Sequence, residues 1–253
     1  MSGAWGSFHE EIARWGEAGR AVEFWWRDDD AAQRDPALER LVALSARAGV
    51  PVALAVIPRR AESSLFAALG ETVCVLQHGT DHANRAAPGE KKTEFPASEP
   101  ADSALARLTS ARERLQVLAG KRFVPVLAPP WNRLPRHLLP HLRAAGFLGL
   151  SGYGVRAIAE TTPGLTQVNT HVDIIDWRGS RGFVGEQAAL EAAVRHLAAR
   201  RTGAAEAGEP TGWLTHHAVH DAAAWDFLAQ LLESTRAVSG VSWRSGEELF
   251  HTF

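Results

Sequence analysis

Short apolar runs alternate along the chain with longer segments in which apolar residues return every three or four positions. Residues 21–26 form the first run and stop at an acidic triplet, and residues 52–57 are continuously apolar, as expected of a strand covered on both faces. Runs at 73–77, 123–127, 148–151, 168–175 and 212–215 predict further strands. Helical periodicity covers 36–48, 61–69, 103–119 and 134–145, stopping near Gly49, Gly70, Gly120 and Gly146 respectively, and recurs at 187–200 and 222–234. Residues 88–100 and 204–210 are polar and read as loops. Such an alternation predicts an α/β protein with a mostly parallel sheet and crossover helices.

The residues with chemical potential stand at the C-terminal ends of these strands, where barrels and open α/β sheets place their sites. Asp28-Asp29-Asp30 follows the first strand; adjacent carboxylates repel one another, and a cation relieves that repulsion. His78-Gly79-Thr80-Asp81-His82 follows another, and its i, i+4 spacing places both imidazoles on one face if the segment forms a helical turn. Two imidazoles and a carboxylate form a common catalytic zinc shell with one position left open. In Ala128-Pro129-Pro130-Trp131-Asn132-Arg133 the prolines fix the backbone and present Trp131 at a loop edge. His171-Val172-Asp173-Ile174-Ile175-Asp176-Trp177-Arg178 sets two acids in an apolar run, which is costly unless they are paired or exposed. Leu214-Thr215-His216-His217 ends the last of the strands in histidine.

Composition narrows the classes. With 253 residues, 45% hydrophobic and 22% charged, the chain is expected to bury a substantial core as one domain over 1–253. A formal net charge of −2 without a long basic run gives no support to a nucleic-acid or membrane-surface role. The one cysteine, Cys74, rules out an internal disulfide framework and lies in an apolar run, as a core residue would. Residues 1–20 are amphipathic without an export pattern, and no apolar run is long enough to span a bilayer, so a cytoplasmic location is expected.

Taken in order, Asp-Asp, HxxxH, PPW, DxxDW and LxH resemble the five motifs of the polysaccharide deacetylases, carbohydrate esterase family four or NodB-homology proteins, over roughly Phe24 to His217. The resemblance implies a distorted (β/α) barrel of about seven strands and metal-dependent removal of N- or O-linked acetyl groups from a sugar or a related small amide. It implies Asp29 as general base and Asp30, His78 and His82 as ligands of a divalent metal, zinc first, with cobalt, nickel or iron also suited. Trp131 would lend its backbone N–H to an oxyanion, His216 would be the general acid, and Asp176, with Trp177 beside it, would orient that histidine. Asp28/Asp29 remains an alternative register for the carboxylate pair.

Two departures bear on function. The arginine that usually opens the third motif is replaced by Ala128, with Arg27, Arg133 and Arg178 as possible substitutes. Its absence keeps open a non-catalytic carbohydrate-binding role, alongside hydrolysis of another non-peptide C–N bond. The segment 84–95 is expected to form a loop that shapes the substrate groove.

Overall fold

The computed structural model describes residues 3–250; residues 1, 2 and 251–253, the ends of the expected domain, lie outside the described residues. Strands β1 (Val22–Ala31), β2 (Val52–Val56), β3 (Val73–His78), β4 (Phe123–Ala128), β5 (Gly149–Leu150), β6 (Glu160–Thr162), β7 (Leu165–Gln167), β8 (Val172–Asp173), β9 (Thr211–Thr215) and β10 (Val241–Arg244) form one ten-stranded sheet. Its order is β6-β7-β5-β4-β3-β2-β1-β9-β8, with β10 paired beside the start of β1. Every pairing is parallel except β6 with β7. The sheet is therefore mixed, and the expectation of about seven strands is exceeded by short additions such as the β6–β7 pair and β10.

One segment bonds first beside β5 and then beside β9. Val168 N donates to Leu150 O and Thr170 N to Gly152 O, after which His171 N donates to Gly212 O and Ile174 N to Leu214 O. Of the expected strand over 168–175 only β8 forms, with β7 just before it, because the backbone changes partner midway.

The α-helices are α1 (Gly3–Glu17), α2 (Pro36–Ala48), α3 (Ser63–Ala67), α4 (Ala101–Ala119), α5 (Leu139–Leu142), α6 (Glu186–Thr202), α7 (Ala222–Arg236) and α8 (Gly246–Phe250). Helix α2 has the bounds its signals predict: the Asp35 carboxylate accepts from Leu38 N at 2.8 Å, Pro36 opens the first turn, and Gly49 closes the helix at φ 65°. The helix expected over 134–145 is instead a 3-10 turn, Arg136–Leu138, followed by the four-residue α5. Pro140 has no N–H to continue an i→i−4 ladder from the preceding turn. Trp5, Phe8, Ile12 and Trp15 line the buried face of α1, and the Trp15 indole donates to Leu197 O of α6.

Two apolar layers flank the sheet's central strands. The larger joins Trp26, Leu54, Val56, Val73 and Val75 to α1, α2, α6 and α7. The opposite faces of the same strands carry Trp25, Ala53, Ala55, Cys74, Leu76 and Val126, which pack with Phe250 of α8. Both faces are covered, so β2 and β3 are fully buried. Cys74 is buried, as expected. Among the described residues, no helix is long and apolar enough to cross a membrane.

The register aligns the chemically active ends. His78 pairs with Ala128, Asp28 with Thr215, and Asp173 with Leu214.

Candidate active site

Strand β1 runs through the acidic triplet rather than stopping before it, because two of the three carboxylates are compensated inside the fold. Asp28 is fully buried: its Oδ2 accepts from Thr215 Oγ1 at 2.6 Å and His217 N at 3.0 Å, and its Oδ1 meets His217 Nδ1. Burial raises its pKa, but His217 outweighs that and holds it below the ordinary carboxylate value. Asp28 is therefore committed to tying β1 to β9.

Asp29 points the opposite way and is gripped by Arg27, its neighbour on the same face of the strand. Arg27 Nε donates to Asp29 Oδ1 at 2.8 Å and its second terminal nitrogen to Oδ2 at 3.0 Å. That guanidinium, fully buried, also reaches Ser151 O at 2.8 Å and Asn132 Oδ1 at 2.7 Å. Of the three candidate arginines it is the one on the carboxylate; Arg133 donates to Lys92 O instead. Ala128, where the family arginine would stand, is buried in β4.

Asp30 ends the triplet at φ 71°, a left-handed conformation that turns its carboxylate toward β3. Its Oδ1 lies 3.1 Å from His78 Nε2 and 3.1 Å from His82 Nε2. Ligands bonded at ~2.0–2.1 Å and spaced tetrahedrally stand about 3.3 Å apart, so this oxygen and the two nitrogens fit a divalent ion. Burial raises the Asp30 pKa, but hydrogen bonding to His78 and His82 reverses this and holds it far below the usual carboxylate range.

The histidine pair is not on a helical turn. His78 ends β3, and the chain then turns through Gly79 at φ 60° and His82 at φ 58°. A Cβ on Gly79 would stand 2.6 Å from Pro130 Cδ and would also strike the Glu94 carboxylate, so only glycine fits. Glu94, buried in the loop that follows, accepts from Thr80 N at 2.9 Å and Asp81 N at 3.1 Å and so fixes the turn. The loop expected to shape the groove thus also supports the second histidine.

Trp131 sits at φ 56° with its ring 4.5 Å from that of His82. Asn132 N and Arg133 N make the turn's hydrogen bonds to Pro129 O and Pro130 O; the Trp131 N–H takes no part in them.

The structure does not bring Asp176 to His216. Its carboxylate instead accepts from the backbone N–H groups of Arg178, Gly179 and Ser180 and caps a surface turn. Asp173, three residues earlier, is the acid of this segment that lies in the cleft. It lines the same cleft as His216 and accepts from Trp177 Nε1 at 2.8 Å, and the Trp177 ring lies edge-on, 4.7 Å from that of His216. Burial pushes the Asp173 carboxyl above its ordinary value, and His216 opposes that shift. Asp173 pairs with Leu214 in the sheet, whereas Asp176 follows the paired residues.

Asp29, Asp30, His78, His82, Trp131, Asn132, Asp173, Trp177 and His216 line one cleft of about 540 Å³, with Lys92, Arg133 and Arg181 at its margin. The sequence marks Asp173 only as an acid in an apolar run and Lys92 only as part of the groove loop, and it gives Asn132 and Arg181 no role; solvated charges and a lone amide carry no periodic signature.

A second group of metal-type side chains, His171, His196 and Glu209, lies buried toward the opposite end of the strands; in each group the ligand atoms lie within 4.8 Å of one another. Its chemistry differs from that of the first. His171 Nδ1 accepts from Gly212 N at 3.0 Å, so a neutral ring carries its proton on Nε2, facing Glu209 Oε2 at 3.4 Å. That nitrogen has no free lone pair for a metal. Burial, with His171 and Arg200 beside it, pushes His196 down to about 2. Arg156 Nε, 4.0 Å from Glu209 Oε2, supplies that carboxylate with a cation already. The cluster is a packed polar core; the triad that opens to the cleft contains Asp30, His78 and His82.

No protein-family model and no curated protein sequence matches this chain. Solved structures do. The Bc1960 peptidoglycan N-acetylglucosamine deacetylase is 15% identical, with 94% of this chain and 96% of that one covered and a TM-score of 0.56. The peptidoglycan deacetylase PdaC from Bacillus subtilis is 13% identical over 91% and 90%, with a TM-score of 0.55. A family 4 carbohydrate esterase from Streptomyces lividans is 15% identical over 88% and 91%, with a TM-score of 0.53. The chain therefore shares the α/β fold of these deacetylases and esterases across most of its length.

Proposed function

We propose that the protein is a metal-dependent hydrolase that removes N- or O-linked acetyl groups from a carbohydrate or related small molecule. The observation that carries this reading is a pair of imidazole nitrogens, each 3.1 Å from Asp30 Oδ1, in a cleft shared with an arginine-clamped Asp29 and with His216. The likeness to solved deacetylases and esterases over most of the chain supports it. The same reading takes the whole chain as one catalytic unit built on a distorted barrel.

Asp30, His78 and His82 would hold the ion, zinc first by donor type, with cobalt, iron or nickel accepted by the same set. Such an ion supplies Lewis acidity toward water and toward the acetyl carbonyl oxygen. Asp29 takes the proton from the attacking water, and its two hydrogen bonds to Arg27 fix which way the carboxylate faces. The Trp131 N–H donates to the developing oxyanion; losing one such donor typically costs about 2.7–4 kcal/mol. His216 gives a proton to the departing nitrogen or oxygen as the C–N or C–O bond breaks, and acetate and the free amine or alcohol leave. Asp173 shares the cleft with His216 and holds the Trp177 ring that packs edge-on against it, which fixes how the imidazole is placed.

Arg27 answers the argument for a merely binding protein, since the charge missing at Ala128 reaches Asp29 from β1 itself. A screen of acetylated sugars and simple amides with the zinc-loaded protein tests the reading. Acetate release abolished by His78→Ala is the expected result. Release that persists in His78→Ala and in Asp30→Ala would overturn it.

A further inference from the structure

The margin of the cleft carries cations that the hydrolytic chemistry does not use. Lys92, Arg133 and Arg181 line it together, all three exposed, and among the described residues none pairs with a carboxylate within 4.0 Å. Their placement is built. Arg133 donates to Lys92 O, which holds the loop carrying Lys92 against the Trp131 turn. Arg181 sits at φ 59°, its N–H on Asp176 O at 2.8 Å, at the end of the turn that the Asp176 carboxylate caps. Gly179 is needed there, because a Cβ would run into Asp176 Oδ1 at 3.3 Å and into Oδ2 more closely. The Arg181 guanidinium then lies 5.7 Å from the Trp177 ring, which itself stands against His216.

The acidic groups of the same wall do not consume this charge. Asp29 is neutralised by Arg27 from within the fold. Asp30 is engaged by His78 and His82, and Asp173 accepts from Trp177 Nε1. The side of the cleft that faces solvent is thus left with three cations that have no acidic partner among the described residues, where a substrate's outer groups would rest.

We infer that the substrate is anionic: an acetylated sugar or small amide that also carries a carboxylate or phosphate, held by Arg181, Lys92 and Arg133 beside the reacting acetyl group. This rests on the hydrolase reading for the acetyl group but not for the anion. Guanidinium groups suit either oxyanion by forked hydrogen bonding, and the two sources are separated by experiment.

Two measurements on the zinc-loaded protein test it. In the first, calorimetric titration compares glucose, glucose 6-phosphate and glucuronate, which need no turnover. Both anions, or one of them, should bind at least about tenfold tighter than glucose, with the stronger naming the phosphate or carboxylate source. Arg181→Gln should reduce that preference about tenfold, and Arg133→Gln, an independent exposed position, should reduce it in the same direction. An anion preference untouched by both variants places the anion on the metal and overturns the inference, as does the absence of any preference. In the second, kcat/KM is compared for an N-acetylhexosamine and its 6-phosphate and uronic acid counterparts. Equal hydrolysis of neutral and anionic substrates overturns the inference while leaving the hydrolase reading in place. Anion binding that follows the variants, without acetate release from any substrate, upholds the anion site and sinks the hydrolase reading.

Discussion

Replacing Arg27 with methionine removes a buried guanidinium that donates six hydrogen bonds, two of them to Asp29 and the rest to Ser151, Gly152 and Asn132. The methionine fills much of the same space, so packing loss is small. What remains is an Asp29 carboxylate with 2% exposure that has lost its hydrogen-bonded counter-charge, together with the carbonyls of Ser151 and Gly152 stripped of their donor. Removing one partner of a buried ion pair costs about 3–5 kcal/mol, a large share of a typical ~5–15 kcal/mol stability. Urea unfolding in the presence of chelator, so that metal binding adds nothing to the native state, should show an unfolding free energy lower by about 4 kcal/mol with the denaturant slope unchanged. Because the cost comes from the orphaned carboxylate, Arg27→Met/Asp29→Asn should be less destabilised than the sum of its single variants, by about 2–3 kcal/mol. A coupling below about 0.5 kcal/mol would refute the claim that Arg27 serves Asp29. With zinc restored, Arg27→Met should lose about 100-fold in kcat, because an unheld base no longer faces its proton.

Other expectations follow from the same structure. Asp173→Asn should lower kcat about tenfold or more, whereas Asp176→Ala should act mainly on anion preference through Arg181; equal effects on kcat would restore Asp176 as the orienting acid. Gly79→Ala should destabilise the fold and weaken metal binding together, since both the positive φ and the Pro130 contact forbid a Cβ; a calorimetric unfolding temperature matching the parent would contradict this. Burial, with His171 and Arg200 adding to it, holds the folded-state pKa of His196 down at about 2, below its ordinary 6.5. Its contribution is therefore fully present above pH 6.5 and is lost as pH falls from there toward 2, by up to ~1.4 kcal/mol per pH unit. His196→Gln should flatten that acid limb in urea melts, and an unchanged limb would show that the ring is not buried neutral. Burial lowers the His78 pKa, but Asp29 and Asp30 outweigh it and leave it raised in the metal-free site; zinc affinity should therefore fall as pH drops, with proton uptake on metal release.

How much could be read from the chain depended on the range of the interactions involved. Helix α2 was legible over 36–48 from its periodicity and the stop near Gly49, and Asp35 and Gly49 close its ends by acting on their own neighbours. The apolar runs at β2, β3 and β4 were legible because both faces of a central strand are covered. The ends of β3 and β9 therefore delivered His78 and His216 to positions that the pattern already implied. The triplet was misread as a strand terminus, because what lets Asp28 stay inside the fold is His217, 189 residues away. The break between β7 and β8 was invisible for a similar reason: a change of hydrogen-bonding partner leaves no trace in hydrophobicity. Asp173 and Asp176 are alike in sequence and differ only in that one pairs within the sheet and the other caps a turn. Arg27 stood among three candidate arginines until its geometry set it apart.

Metal content by elemental analysis, made on the parent protein and on His78→Ala and His196→Gln, tests the central claim most directly. The account predicts close to one divalent ion per chain in the parent and in His196→Gln, and none in His78→Ala. An ion retained in His78→Ala and lost in His196→Gln would place the metal in the buried His171/His196/Glu209 cluster and remove the hydrolytic centre from the cleft.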